Sequence, residues 1–144
     1  MSINHIIIVT TEPKSIFFEI LFKYFKSKKN ILQRKKITLI GNLPHIIKEA
    51  RKNNYKKKFN QVYDISESKK KIINIINIKA NNILRLKDCN SYISNSFQKS
   101  ISILKNNKNV AMLNGPINKK SFLKRKFLGI TEYLAKKTNS NYPV

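Results

Sequence analysis

Cysteine is almost missing from this sequence. Cys89 is the only one, so no intrachain disulfide and no Cys-x-x-Cys redox or metal motif can form. A reducing compartment is the natural setting, and the expectation is a cytoplasmic protein. Tryptophan is absent, and there are only three glycines and four prolines. That excludes low-complexity and collagen-like chains. No apolar run reaches 18 residues, so no membrane-spanning helix is expected. The stretch from Ile16 to Phe25 is broken by Glu19 and Lys23. The amino terminus has no basic n-region and no cleavage signal follows it. Acidic residues number only seven, against 30 basic ones.

What is present is enough to fold. The 144 residues are 41% hydrophobic and 10% aromatic, which suits one compact region. The formal net charge is +23. The excess is almost all lysine, 26 against four arginines. Isoleucine (23) and asparagine (19) are also abundant. Lys, Ile and Asn rise together under A/T-rich codons, so composition alone explains the charge. A basic nucleic-acid-binding domain is the functional alternative, because phosphate contacts release counterions. Nucleic-acid sites favour arginine for its planar fork. Here the lysines are scattered, with short runs at Lys56-Lys57-Lys58 and Lys69-Lys70-Lys71. Non-specific sticking to polyanions at low salt follows from charge alone.

The chain reads as strands alternating with helices. Ile6-Ile7-Ile8-Val9 is a continuous β-branched run, as in a strand covered on both faces. Thr10 to Pro13 is the next loop. A helix is predicted over 15–28, with Ile16, Phe17, Ile20, Leu21, Tyr24 and Phe25 as its apolar face and Lys26, Lys28 and Lys29 at its end. Residues 37–40 give a second strand. Gly41-Asn42 breaks it, and Leu43-Pro44 opens a helix to about Asn53. A third strand is predicted over 59–65. Residues 66–87 show neither period clearly. A helix follows over 91–105, with Ile93, Phe97, Ile101 and Leu104 on one face. Val110 to Leu113 is a buried strand, and residues 131–137 form a last helix. This pattern argues for an α/β fold with a mostly parallel sheet flanked by helices. Residues 1–144 read as a single α/β region without an internal linker. It stops at Pro143-Val144, where the next strand would begin, and so reads as an incomplete front part.

Chemistry in open α/β sheets gathers in the loops after strand carboxyl ends. Two loops qualify, Thr11-Glu12-Pro13-Lys14-Ser15 and Asn114-Gly115-Pro116-Ile117-Asn118-Lys119-Lys120. A third candidate is Gly129-Ile130-Thr131-Glu132. There, free backbone N–H groups and the Thr131 hydroxyl could receive a phosphate, with Lys119 adding charge. Each has a plainer reading: a Gly-Pro turn, a solvated Glu12, or Thr131 as a helix N-cap after a bend at Gly129. His5 and His45 lack ligand spacing and read as structural. Cys89 reads as a packed or surface thiol.

Together the blocks resemble the 4-hydroxythreonine-4-phosphate dehydrogenase family of vitamin B6 biosynthesis. That family's pattern T-G-P-[VI]-[HN]-K is matched by Gly115, Pro116, Ile117, Asn118 and Lys119. Its G-H-T-E-[FY]-[FL]-A is matched by Gly129, Thr131, Glu132, Tyr133, Leu134 and Ala135. Glu12, Pro13, Ile16 and Glu19 fit its first loop, G-[ED]-P-A-G-I-G-P-E. The resemblance covers the whole chain but only the amino-terminal part of the family's length.

The resemblance implies a two-lobed fold like isocitrate and isopropylmalate dehydrogenases, working as a homodimer. It implies NAD and a divalent metal (Zn, Mg or Co) as cofactors. It implies oxidation of 4-phosphohydroxy-L-threonine, a small phosphorylated substrate, at a site where Thr131, Lys119, Asn118, Gly115 and Glu12 touch or shape the substrate pocket. The family's three metal-binding histidines lie beyond the span of this chain. The G-H-T-E histidine is Ile130, the T-G-P threonine is Asn114, and the first loop's glycines are Thr11, Ser15 and Phe17. The expectation is thus a fragment that is inactive alone. A non-catalytic α/β remnant is the other reading.

Overall fold

A computed structural model describes residues 2–27 and 31–140. Five strands form one sheet in the order β3-β4-β2-β1-β5, and every pair is parallel. The strands are β1 (His5–Val9), β2 (Lys36–Gly41), β3 (Phe59–Val62), β4 (Ile73–Asn77) and β5 (Val110–Asn114). The helices are α1 (Phe17–Lys26), α2 (Leu43–Lys52), α3 (Leu86–Asn106) and α4 (Ile130–Thr138). The expected α/β class and parallel sheet are observed.

Alternation along the central strands sends side chains to two separate cores. Ile8, Ile37, Leu39, Ile73 and Ile75 pack under α1 and α2. Ile7, Ile40, Val62 and Ile76 face the other way, with Ile103 of α3. Val9 belongs with Tyr92, Ile93 and Phe97 of α3, and with Leu123 and Tyr133. Burial on both faces explains why β4 had no readable period: Ile73, Asn74, Ile75 and Ile76 are all buried. Asn74 is tolerated inside because its amide donates to the backbone oxygens of Ile37 and Lys69, while its carbonyl accepts from Lys69 N and the Asn60 amide.

Several boundaries differ from the sequence expectation. The first helix spans Phe17–Lys26, and Lys28 and Lys29 lie outside the described residues. Its buried face is Phe18, Leu21, Phe22 and Phe25, whereas Ile16, Ile20 and Tyr24 are exposed. The two phenylalanines fix the rotation by stacking together and reaching His45 and Tyr55 on the α2 side. The third strand ends at Val62, since Asp64 caps a tight turn at Ile65–Glu67. The long helix starts five residues earlier than expected, at Leu86. Asn42 caps α2 by accepting from His45 N at 3.2 Å, with Pro44 in the first turn as predicted.

His5 is structural. It is buried, with Nε2 2.7 Å from Thr38 Oγ1, which lies 2.9 Å from Ser68 Oγ. Burial, helped by Lys36, lowers its pKa to about 4. The unfolded chain then binds a proton below about pH 6.5 that the folded chain refuses. Stability from this group is therefore full above that pH and lost as the pH falls toward 4. Urea unfolding of the natural chain should lose up to about 3 kcal/mol over that window. His5→Asn should show a smaller loss over the same range. Equal slopes would show that His5 is not the group responsible.

Candidate functional site

Right-handed crossovers decide where the site is. The chain leaves β1 toward α1 on one face and leaves β5 toward α4 on the other. The loops therefore diverge and open a crevice at the carboxyl ends of β1 and β5, a topological switch point. All three sequence blocks lie at this end of the sheet or on the helix that follows it.

The first two blocks are clasped together. Gly115 N donates to Val9 O at 2.9 Å, extending the β1–β5 ladder past its end. Glu12 N donates to Pro116 O at 3.2 Å, and the Thr11 hydroxyl donates to the same oxygen. Ser15 Oγ closes the first loop by donating to Glu12 O at 2.9 Å. Thr11 is completely buried. So Thr11 and Ser15, which stand where the family has glycines, serve as hydrogen-bonding groups of the loop. Gly115 is required by space. A Cβ there would sit 2.9 Å from Thr11 Oγ1 and 3.0 Å from the Phe17 ring.

The second block turns immediately. Asn118 Oδ1 accepts from Ser121 N at 3.2 Å and caps the π-helical turn Lys119–Leu123. Asn90 of α3 holds that turn by donating to Ser121 O at 3.2 Å. Lys119, the first residue of the turn, is exposed. Lys124 and Arg125 both adopt left-handed backbone as the chain heads for α4.

The third block corrects one expectation. The N-cap of α4 is Gly129, in extended backbone, and Thr131 is the second helical residue. Glu132 reaches back to accept from Leu128 N at 2.8 Å, so its carboxylate secures the helix start. Thr131 is exposed. The first N–H groups of α4 have no intrahelical acceptor, as in any helix. Ile130 packs at the rim of the α3 core. Tyr133 anchors α4, with ring centroids 5.1 Å from Phe122, 5.6 Å from Phe127 and 5.8 Å from Phe97. The structure thus joins Glu12, Gly115 and Asn118 by backbone clasp and turn. Thr131 and Lys119 sit on adjoining elements without a direct contact to each other.

The sequence reading missed the centre beneath these loops. Tyr92 is 1% exposed. Its hydroxyl donates to Thr10 O at 2.8 Å, accepts from Asn42 N at 3.3 Å and lies 3.1 Å from Thr10 Oγ1. Gly41 leaves room for it, since a Cβ there would lie 1.9 Å from Thr10 Oγ1 and 2.8 Å from the Tyr92 hydroxyl. Beside Tyr92 opens a polar cleft of about 500 Å³, lined by Asn42, Asn77, Asp88, Ser91 and Asn95 among others. It lies at a second divergence, where β2 leads to α2 and β4 to α3 on opposite faces. The signal available in sequence was the run Cys89, Ile93 and Phe97, which extends the helix upstream of residue 91. Cys89 is buried, and burial, with Glu12 adding, pushes its thiol up to about 11. It is therefore protonated at neutral pH and a poor nucleophile.

Among the described residues no three His, Cys, Asp or Glu side chains lie close enough together to hold a metal. His45 is held against the Phe18 ring at 5.3 Å, and burial lowers its pKa. No helix among the described residues is long and apolar enough to cross a membrane.

Comparison with solved structures follows this geometry. A 4-hydroxythreonine-4-phosphate dehydrogenase from Burkholderia phymatum superposes with a TM-score of 0.82 at 16% identity, over 99% of this chain. A Salmonella typhimurium protein assigned the same activity gives 0.78 at 17% identity, over 96%. The chain has their fold. It spans 46% of the length of each of them. No family model and no curated protein matches it. The likeness is one of fold, at identities of 16–17%.

Tyr92→Phe should destabilise the chain by about 2 kcal/mol, by stranding Asn42 N and Thr10 O in a buried place. Gly41→Ala should cost about 3 kcal/mol and Gly115→Ala about 1 kcal/mol, because the Phe17 ring can shift and the β1–β2 junction cannot. Denaturant unfolding of the three variants checks that order. A Gly41→Ala midpoint equal to that of the natural chain would contradict it.

Proposed function

We propose that this chain supplies part of the substrate site of an NAD-dependent oxidoreductase acting on 4-phosphohydroxy-L-threonine. The observation that supports the reading is that the three matching blocks lie at one end of the sheet or on the helix that follows it, in a fold like that of two proteins named as 4-hydroxythreonine-4-phosphate dehydrogenases. The phosphate would rest at the start of α4, where the N–H groups and the Thr131 hydroxyl donate to it. Lys119 would add positive charge from the neighbouring turn. Gly115 and Asn118 would shape the loop that carries Lys119. Glu12 would hold the opposite rim through its backbone bond to Pro116. Ile130 brings no polar group, so the substrate's recognition here would rest on Thr131 and the backbone.

NAD, when bound, accepts the hydride from the substrate hydroxyl, and no residue of this chain is assigned to hold it. Among the described residues no cluster of His, Cys, Asp and Glu side chains fits a divalent metal. This favours a chain that binds substrate and needs other residues for turnover. A non-catalytic α/β remnant that binds only a small anion shares the same site and differs in turnover alone. The reading includes a homodimer in the cytoplasm.

The test is calorimetric titration with 4-phosphohydroxy-L-threonine and, separately, inorganic phosphate. Thr131→Ala should weaken substrate binding about tenfold, near 1.4 kcal/mol. Because Thr131 is exposed, the thermal midpoint should not move. Lys119→Ala should weaken it further at low salt than at high salt. Unchanged affinity in both variants would remove α4 from the site.

A further inference from the structure

The amino-terminal end of the sheet holds a hollow that the candidate site does not use. Strands β1, β2 and β5 begin there, at His5, Lys36 and Val110, beside the end of α3 and the turn at Ile65–Glu67. Between them opens a cleft of about 490 Å³. The length of β1, five residues at about 3.3 Å each, separates it from the three blocks. Its lining carries three lysines, Lys36, Lys70 and Lys108, and one carboxylate, Asp64. That carboxylate is engaged, because Asp64 Oδ1 accepts from Ser66 N at 2.9 Å. The ammonium groups have no carboxylate within ion-pair reach among the described residues, where the one ion pair is Lys52 with Glu49 on α2. A helix end normally brings unpaired carbonyls to such a place. Asn107 covers two of them, since its N donates to Leu104 O at 3.3 Å and its Nδ2 to Ile103 O at 2.8 Å. The floor is buried: His5 is 4% exposed, is bonded to Thr38, and feels the charge of Lys36. A concave surface with an excess of one charge over a low-dielectric floor focuses its field and gathers counter-ions. The arrangement matters here, since the number of lysines is what composition gives.

We propose that this cleft binds a compact polyanion with two or more linked phosphate groups, a nucleoside triphosphate or an inorganic polyphosphate. Charge sets the class. One phosphate carries about two negative charges, fewer than the three ammonium groups around the cleft. A chain of linked phosphates meets all three. Asn4, Asn106 and Asn109 line the same cleft, and their amides can donate to the remaining oxygens. A nucleic-acid strand fits less well, because no Phe or Tyr lines the cleft for a base to stack on. The proposal is independent of the substrate reading, which concerns the other end of the sheet.

The test is NMR titration of the isotope-labelled chain with sodium tripolyphosphate and, separately, with ATP, at about 0.15 M salt. The assigned ring signal of His5 is the local reporter. Tripolyphosphate should move it along a one-site curve. The double variant Lys70→Gln, Lys108→Gln should weaken that binding about tenfold. Both lysines are exposed, so the thermal midpoint should stay where it is. The double variant Lys56→Gln, Lys57→Gln removes the same charge from the exposed loop before β3, and should change affinity by less than about twofold. ATP binding about tenfold tighter than tripolyphosphate would make the ligand a nucleotide, and equal affinity would make the phosphate chain sufficient. Either result supports the site. A His5 signal that does not move, or equal weakening by the two double variants, would overturn it. Thr131→Ala should leave the His5 titration unchanged. An intact His5 titration together with unchanged substrate affinity in Thr131→Ala would sink the substrate reading and leave this one standing.

Discussion

The Tyr92 hydroxyl is the point on which the carboxyl end of the sheet depends. Strands β1 and β2 end side by side, and past their ends the chain leaves the ladder for α1 and α2 on the same face. Backbone groups beyond the ladder lack strand partners, and buried groups of that kind are costly. One phenol meets two of them at once, Thr10 O and Asn42 N. It can do so only because Gly41 has no side chain. The position of α3 follows, since the ring that carries the hydroxyl is also part of the α3 core with Val9 and Phe97. The same contact thus sets where β1 stops, where α2 starts and how α3 lies.

On that base the loops are held by backbone more than by side chains. Val9 accepts from Gly115 and Pro116 accepts from Glu12, so the two outgoing loops move as one piece. Around them stand the Thr131 hydroxyl, the first N–H groups of α4 and the Lys119 ammonium, all donors, together with the Glu12 carboxylate, whose charge is felt at Cys89. The donors suit an anion.

Much of this was legible in sequence, for identifiable reasons. β-branched runs flanked by loop residues located β1 and β2, because strands buried on both faces need no period; β5 was located too, but the expectation that it is buried fails, since it is an edge strand whose residues are half-buried and whose Leu113 is exposed. Asn42-Leu43-Pro44 marked the start of α2, because cap and proline act locally. The apolar face of α1 was misread because Ile16 and Ile20 look as hydrophobic as Phe18 and Phe22. Only the aromatic contacts to α2 choose between them. β4 escaped because Asn74 and Asn77 interrupt its isoleucines, and their partners are distant in sequence. The three loop blocks were found as motifs, and the fold placed them at one end. The role of Tyr92 was invisible, since it depends on residues 50 and 82 positions away.

The order of the strands also sets a schedule for folding. β1 is the second strand from one edge, and its outer neighbour is β5. Val9, near the start of the chain, waits for Gly115 to complete its hydrogen bonding. During synthesis the most apolar strand therefore emerges first and remains half-paired until residues 110–114 arrive. Contacts spanning so much sequence form slowly, and an unpaired apolar strand invites association with other chains in the meantime. The high lysine content, whatever its origin, keeps nascent chains apart by repulsion through that interval.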